Sequence, residues 1–156
     1  MKIQEKYRHI GYSYPGVPPG WKPIVEKTIV DIEKAMWVQW LPLFVKRWIH
    51  YRATGNSVVN VKSEFWYKIR GKLTKSQIIS DIKDKFATLR IYGYYGDEID
   101  TIIYTAENEC LCTCEKCGSK DDNKMVDYGW IYNLCKKCRY DFESKNNTKG
   151  DKKARG

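Results

Sequence analysis

Residues 114–138 read CEKCGSKDDNKMVDYGWIYNLCKKC, and this stretch decides the C-terminal half of the fold. Cys114-Glu-Lys-Cys117 is followed, after seventeen intervening residues, by Cys135-Lys-Lys-Cys138. Two residues between thiolates let one tight turn present both sulfurs to one ion. Two such turns, brought face to face by a hairpin, complete a tetrahedron, so the spacing predicts a zinc site. Gly118 lets the backbone turn sharply after the first pair. Lys116, Lys136, Lys137 and Arg139 offset a Zn(Cys)4 centre that is formally doubly negative. Free thiols or a redox pair are the other readings of the four cysteines. With four protein thiolates the shell is closed, no position remains for an activated water, and the expected role of zinc is structural. Cys110 and Cys112 fall outside the frame and are expected to be packed thiols.

The rest of the chain supplies a core. The sequence has 156 residues, of which 42% are hydrophobic and 30% charged, with 6 Trp, 12 Tyr and 4 Phe, which excludes a mainly disordered chain. The N-terminus carries no apolar signal segment, and the longest apolar stretch, 35–45, is far short of the about 20 residues a bilayer needs. Six cysteines without a secretory signal suit a reducing cytosol.

Residues 11–21 hold three Pro and three Gly and read as a loop, with Pro23 suited to a first helical turn. Val25, Ile29, Ile32, Met36, Trp40 and Leu43 form one helical face, ended or kinked by Pro42. A further helical piece is expected from Leu43 to about Arg52, stopped by Gly55-Asn56. Residues 57–72 read as extended, with Phe65, Tyr67 and Ile69 on one face and Trp66, Lys68, Arg70 and Lys72 on the other. Thr74 and Gln77 form a capping box. Ile78, Ile82, Phe86 and Leu89 keep helical spacing, and periodicity does not separate helix from strand over 78–88. Residues 88–95 read as a strand, and Ile99, Ile102, Ile103 and Ala106 as a helix ending near Asn108. The expectation is an α+β fold: an N-terminal helix and small sheet over 1–109, a Zn(Cys)4 ribbon or treble-clef module over 110–142, and a disordered basic tail over 143–156.

Charge is concentrated. Lys and Arg exceed Asp and Glu by 28 to 19, giving +9. Nine basic residues stand against Glu64 alone between Lys34 and Lys75, and Trp37, Trp40, Trp48 and Trp66 lie in the same stretch. Cations attract phosphates and aromatic faces stack on exposed bases. The candidate ligand-binding residues are therefore Trp66, Lys68, Arg70 and Lys72, joined by Arg90 and Tyr92 if the strands over 57–72 and 88–95 pair. An ordinary solvated strand face explains the same residues, and Trp37 and Trp40 suit a core. A membrane-surface helix around Lys46, Arg47 and Arg52 is disfavoured, because the apolar half has core partners.

The only histidines are His9 and His50, and residues 118–134 contain none. That argues against metal-finger nucleases of the HNH type, which place catalytic histidines beside such a frame. There is no glycine-rich phosphate loop and no nucleophile–base pair. Asp97, Glu98 and Asp100 sit where a helix N-terminus favours acids anyway. A non-enzymatic protein is expected.

Several pieces together resemble an uncharacterised zinc-finger family of tailed bacteriophages. They are Pro19-Gly20-Trp21-Lys22-Pro23-Ile24-Val25, Lys83-Asp-Lys-Phe-Ala-Thr-Leu-Arg-Ile-Tyr92, the helix from Ile99 to Glu107, Cys114-Glu-Lys-Cys117-Gly118, and Gly129-Trp130 leading into Leu134-Cys135. The chain departs from that pattern at Ala87, where the family usually has glycine, and the stretch 35–75 is longer than typical. The resemblance covers about half the chain. It implies a phage protein acting in the host cytoplasm and carries no catalytic residues. Two functions fit: binding a nucleic acid or nucleotide, or binding a host protein complex as an inhibitor of host defence or transcription.

Overall fold

The computed structural model describes residues 16–55, 62–75 and 77–153, with side chains through 145. The described residues form an α+β fold of five helices and four strands. After a single 3-10 turn, Pro19–Trp21, helix α1 spans Lys22–Met36. Pro23 occupies its first turn, and Val25, Ile29, Ile32 and Met36 are buried as their spacing predicts. The helix stops well before Pro42. Trp37 turns extended, and the Gln39 amide donates to the carbonyls of Lys34 and Trp37, closing the helix end. Trp37 therefore stays in the core, whereas Trp40 leaves it and is 76% exposed.

Helix α2, Leu43–Thr54, starts after Pro42 and ends at Gly55, whose φ is 66°. Lys46, Ile49, His50, Ala53 and Thr54 form its buried side. Helix α3, Glu64–Thr74, packs against it. This corrects the extended reading of 57–72 over its described part; Val58, Val59 and Val61 lie outside the described residues. Ile69 and Leu73, four apart, are half-buried against the core, and Arg70 and Thr74 are buried beside them. The alternation at 65, 67 and 69 is real in the sequence, but the period of four decides the structure, because only it gives the segment a face to bury. The capping box at Thr74 and Gln77 is likewise absent. Thr74 ends α3, its hydroxyl donating to the Arg70 carbonyl, and Gln77 N donates to the Thr74 carbonyl.

Strands β1, Ile78–Lys85, and β2, Thr88–Tyr94, make an antiparallel hairpin. Ile79, Ile82, Leu89 and Ile91 point into the core. A bulge between Ile79 and Asp81 puts Ile79 and Ile82 on one side although they are three apart. The buried set is therefore 79, 82, 89 and 91 and not the helically spaced 78, 82, 86 and 89, of which Ile78 is half-buried and Phe86 exposed at the turn. The turn is Phe86-Ala87, with φ of 54° and 56°, so the tight turn forms with alanine at 87.

Helix α4, Asp97–Leu111, buries Ile99, Ile103, Ala106 and Cys110 and packs on α1 and β2. Glu107 reaches the free edge of β2, accepting from Ile91 N and Arg90 Nη1. The expected boundary at 109/110 falls inside this helix, and Cys110 belongs to the main core. Strands β3, Lys124–Asp127, and β4, Ile131–Leu134, form a second, separate hairpin. Helix α5 follows over Lys136–Lys153, so the chain past 142 continues as helix where a disordered tail is expected. Its start is anchored: Phe142 stacks on Tyr128 at 4.6 Å between centroids, and Tyr128 donates to Glu143 at 2.7 Å. Among the described residues no helix is long and apolar enough to cross a membrane.

Candidate metal centre and aromatic face

Cys114 and Cys117 lie on the turn that leaves α4, Cys135 joins β4 to α5, and Cys138 sits in the first turn of α5. The four Sγ atoms fall within 4.8 Å of one another, and Cys117 and Cys135 approach to 3.6 Å. A tetrahedral zinc with bonds of about 2.3 Å needs sulfurs about 3.8 Å apart, so one ion fits this cage. None of the thiols is in a disulfide. Cys114, Cys135 and Cys138 are buried, and Cys117 is exposed. Burial opposes ionisation of Cys114, but backbone N–H groups of Cys135, Cys117 and Lys116 outweigh it and bring the thiol down to about 7. Donors aimed at a sulfur favour the thiolate a metal requires. Cys110, by contrast, is pushed up to about 12 by burial and by the carboxylates of Glu109 and Glu107. It suits the core and not a metal. Cys112 is exposed.

The turn, the hairpin and the helix start are locked by residues that spacing alone does not single out. Glu115 N donates to Asn133 O at 2.9 Å, and Asn133 N donates to Glu115 Oε2 at 3.0 Å. The Asn133 amide also donates to the carbonyls of Leu111, Cys110 and Thr113, at 2.8, 3.2 and 3.3 Å. Asn is disfavoured in strands, and its place just before the second cysteine pair is the signal that could have flagged it. Arg139 donates to Leu134 O and, across the hairpin, to Asp122. It is thus a hairpin clamp first and a counter-charge second.

The centre is also bolted to the N-terminal loop. Gly20 N donates to Glu115 O at 2.7 Å, and the fully buried indole of Trp21 donates to Thr113 O at 2.8 Å. A Cβ on Gly20 would lie 2.1 Å from Cys114 O.

The expected ligand-binding residues divide between two surfaces. On α3, Trp66 and Arg70 are one turn apart, while Lys68 and Lys72 occupy a different side. Lys68 and Lys72 are exposed, and Lys68 pairs with Glu64 at 2.8 Å. Arg70 leaves the open face on which the extended reading placed it: it is only 1% exposed, because α3 is a helix whose Arg70 side faces α2. Arg90 and Tyr92 lie on β2, which pairs with β1, so the two basic-aromatic faces do not merge into one sheet. Arg90 is held by Glu107 at 3.1 Å, and Lys83 Nζ sits 4.8 Å from the Tyr92 ring centroid.

What the helices assemble instead is an aromatic face across α2 and α3. Trp48 and Trp66 meet edge to face at 4.7 Å, and Phe65 adjoins Trp66 at 5.3 Å. The Arg52 guanidinium lies 5.7 Å from the Trp48 centroid, and Lys62 Nζ lies 4.5 Å from that of Tyr51. Phe44 is 74% exposed and Phe65 65%. The signal in the sequence is the helical set 44, 48, 51 and 52, which falls opposite the buried set 46, 49, 50 and 53. Comparison with family models, curated proteins and solved structures finds no match to this chain.

Proposed function

We propose that the chain is a non-enzymatic binder of an anionic ligand, a nucleic acid or nucleotide, working through the aromatic face of α2 and α3. The four-cysteine centre holds structural zinc in this reading, and the motif order supports a phage accessory protein acting in the host cytoplasm. One observation carries it: Trp48, Trp66 and Phe65 form a continuous run of rings, with Arg52 over Trp48, in a stretch whose only acid is Glu64. Trp48 and Phe65 are exposed and Trp66 is half-buried between them; such rings offer stacking platforms, and the surrounding cations offer phosphate contacts. The Lys68–Glu64 pair is solvent-exposed and therefore weak, so Lys68 remains open to a phosphate.

The test is a tryptophan-fluorescence titration with a single-stranded oligothymidine at rising salt. Three or four phosphate contacts give a slope of log K against log salt of about −2 to −3. Trp48→Ala is expected to weaken binding about tenfold, the loss of one stacked base. Tyr104→Ala, on the exposed side of α4, is expected to leave it unchanged. Binding that ignores salt, or is equally strong without Trp48, overturns the assignment. Phe44, on the same side of α2 as Trp48, adds exposed apolar area that a strand does not need. That area favours, as the second reading, a protein partner for which these rings are anchors, so that the chain acts as an effector against a host complex. A stoichiometric partner that survives nuclease treatment would establish that alternative.

A further inference from the structure

Beneath the aromatic face lies a positive charge with no matching negative one among the described residues. Arg70 projects from α3 toward α2, and its Nε donates to His50 Nδ1 at 3.3 Å. The Thr54 hydroxyl donates to the His50 carbonyl at 2.9 Å, so at 3.1 Å it accepts from His50 Nε2. That fixes the Nε2–H tautomer and leaves Nδ1 as the lone-pair acceptor Arg70 uses. An imidazole that accepts at Nδ1 offers the guanidinium a lone pair and does not pair its charge. Nor does a carboxylate: among the described residues Arg70 has no ion pair, Glu33 is with Lys46 at 3.6 Å, and Glu64 is with Lys68. Arg70 Nη2 is buried and has no hydrogen-bond partner. Burial alone draws the guanidinium down to about 10. A buried, unpaired guanidinium is costly, and an apolar side chain of similar length would serve packing better.

We propose that Arg70 is the receptor for a terminal phosphate of the ligand that stacks on Trp48 and Trp66, with Nη2 donating to a phosphate oxygen. This rests on the nucleic-acid reading above and sharpens it. Trp66 stands one turn before Arg70, so a ring stacked on it brings its own phosphate to the same side of α3. Nη2 has no open surface as the side chain stands, so it meets a phosphate only by shifting toward one, and only a group that protrudes comes within that reach. A phosphate monoester at a strand end or on a mononucleotide does so. A phosphodiester inside a running backbone, with a sugar on either side, does not. Arginine, with its planar fork of donors, suits a dianionic phosphate better than a lysine would.

The experiment compares oligothymidine carrying a 5′-phosphate with the same oligomer ending in a 5′-hydroxyl, on the full chain. The wild type is expected to favour the phosphorylated strand about tenfold, the scale of one charge-assisted hydrogen bond. Arg70→Met is expected to erase that preference while retaining the weaker binding of the hydroxyl strand. Its thermal unfolding midpoint should stay level or rise, since the variant removes a buried charge. Thymidine monophosphate distinguishes the source. Affinity equal to the phosphorylated strand's makes a free nucleotide the ligand, and much weaker binding makes it a strand end; both keep the assignment. Equal binding of the two strands by the wild type overturns it and leaves the aromatic-face reading standing, however Arg70→Met folds. Binding of neither strand overturns that reading, and this subsite with it.

Discussion

Stripping the metal centre is expected to unfold the whole chain, not only the module that contains it. The argument runs through a few contacts. Trp21, fully buried at the heart of the main core, donates its indole N–H to Thr113, next to Cys114. Gly20 donates to Glu115, between Cys114 and Cys117. Asn133, two residues before Cys135, holds the last carbonyls of α4. Cys110 and Cys114 are therefore ends of one continuous buried structure. A structural zinc contributes about 10–16 kcal/mol of apparent binding energy in small zinc domains at neutral pH. A domain's whole stability is about 5–15 kcal/mol. Removal of the ion should leave too little to hold α1 and α4 together. The purified chain should carry one equivalent of zinc. Adding a strong chelator should abolish the far-UV helical signal in one transition, with no stable half-folded species. Acid should act in the same direction, because the ligands are thiolates and protons compete with the ion for them. Persistence of the helical signal and of a cooperative thermal transition after zinc has left would show the core to be independent of the centre.

That coupling is the part of the molecule hardest to read from sequence. The four clustered cysteines announce themselves because tetrahedral metal sites fix both residue type and spacing. The buried faces of α1 and α4 are legible because each is a regular stripe at helical period. Contacts of Gly20 and Trp21 with residues 113–115 span more than ninety positions and leave no local pattern. The segment 62–75 misleads for a different reason. Its apolar residues satisfy period two and period four at once, and what selects the helix is a partner, α2, that local periodicity does not contain. Over 78–89 the helically spaced residues are not the set the hairpin buries, where a bulge puts Ile79 and Ile82 on one side. The same limit governs the candidate ligand surface. Net charge shows that cations gather between 34 and 75, but not that Arg70 turns inward while Phe44 and Trp48 turn out. Composition located the region, and only packing assigned the residues.

Gly20→Ala should be the most damaging single methyl in the protein. A Cβ built there lies 2.1 Å from Cys114 O, 2.6 Å from Gly118 N and 2.9 Å from the carbonyl carbon of Glu115. All three are backbone atoms of the turn that presents two of the four clustered cysteines. No side chain can rotate away to make room. Either the Pro19–Trp21 turn lifts off, giving up the Gly20–Glu115 and Trp21–Thr113 hydrogen bonds, or the cysteine turn distorts. Gly118 is fixed in its own right by a φ of 79° and by the Gly20 carbonyl, 3.2 Å from where its Cβ would stand. The turn therefore has little freedom to yield. The expected loss is about 3 kcal/mol, the upper end for overpacking. It should be read from the denaturant midpoint at unchanged slope. Zinc affinity, measured by competition with a chromogenic chelator, should fall with it. Gly16→Ala is the matched control, since nothing lies within 4 Å of its Cβ position. Its effect should stay within about 0.5 kcal/mol. A Gly20→Ala protein with the wild-type midpoint would show that the turn is not clamped. One that loses zinc but keeps a folded core would separate the clamp from the coupling argued above.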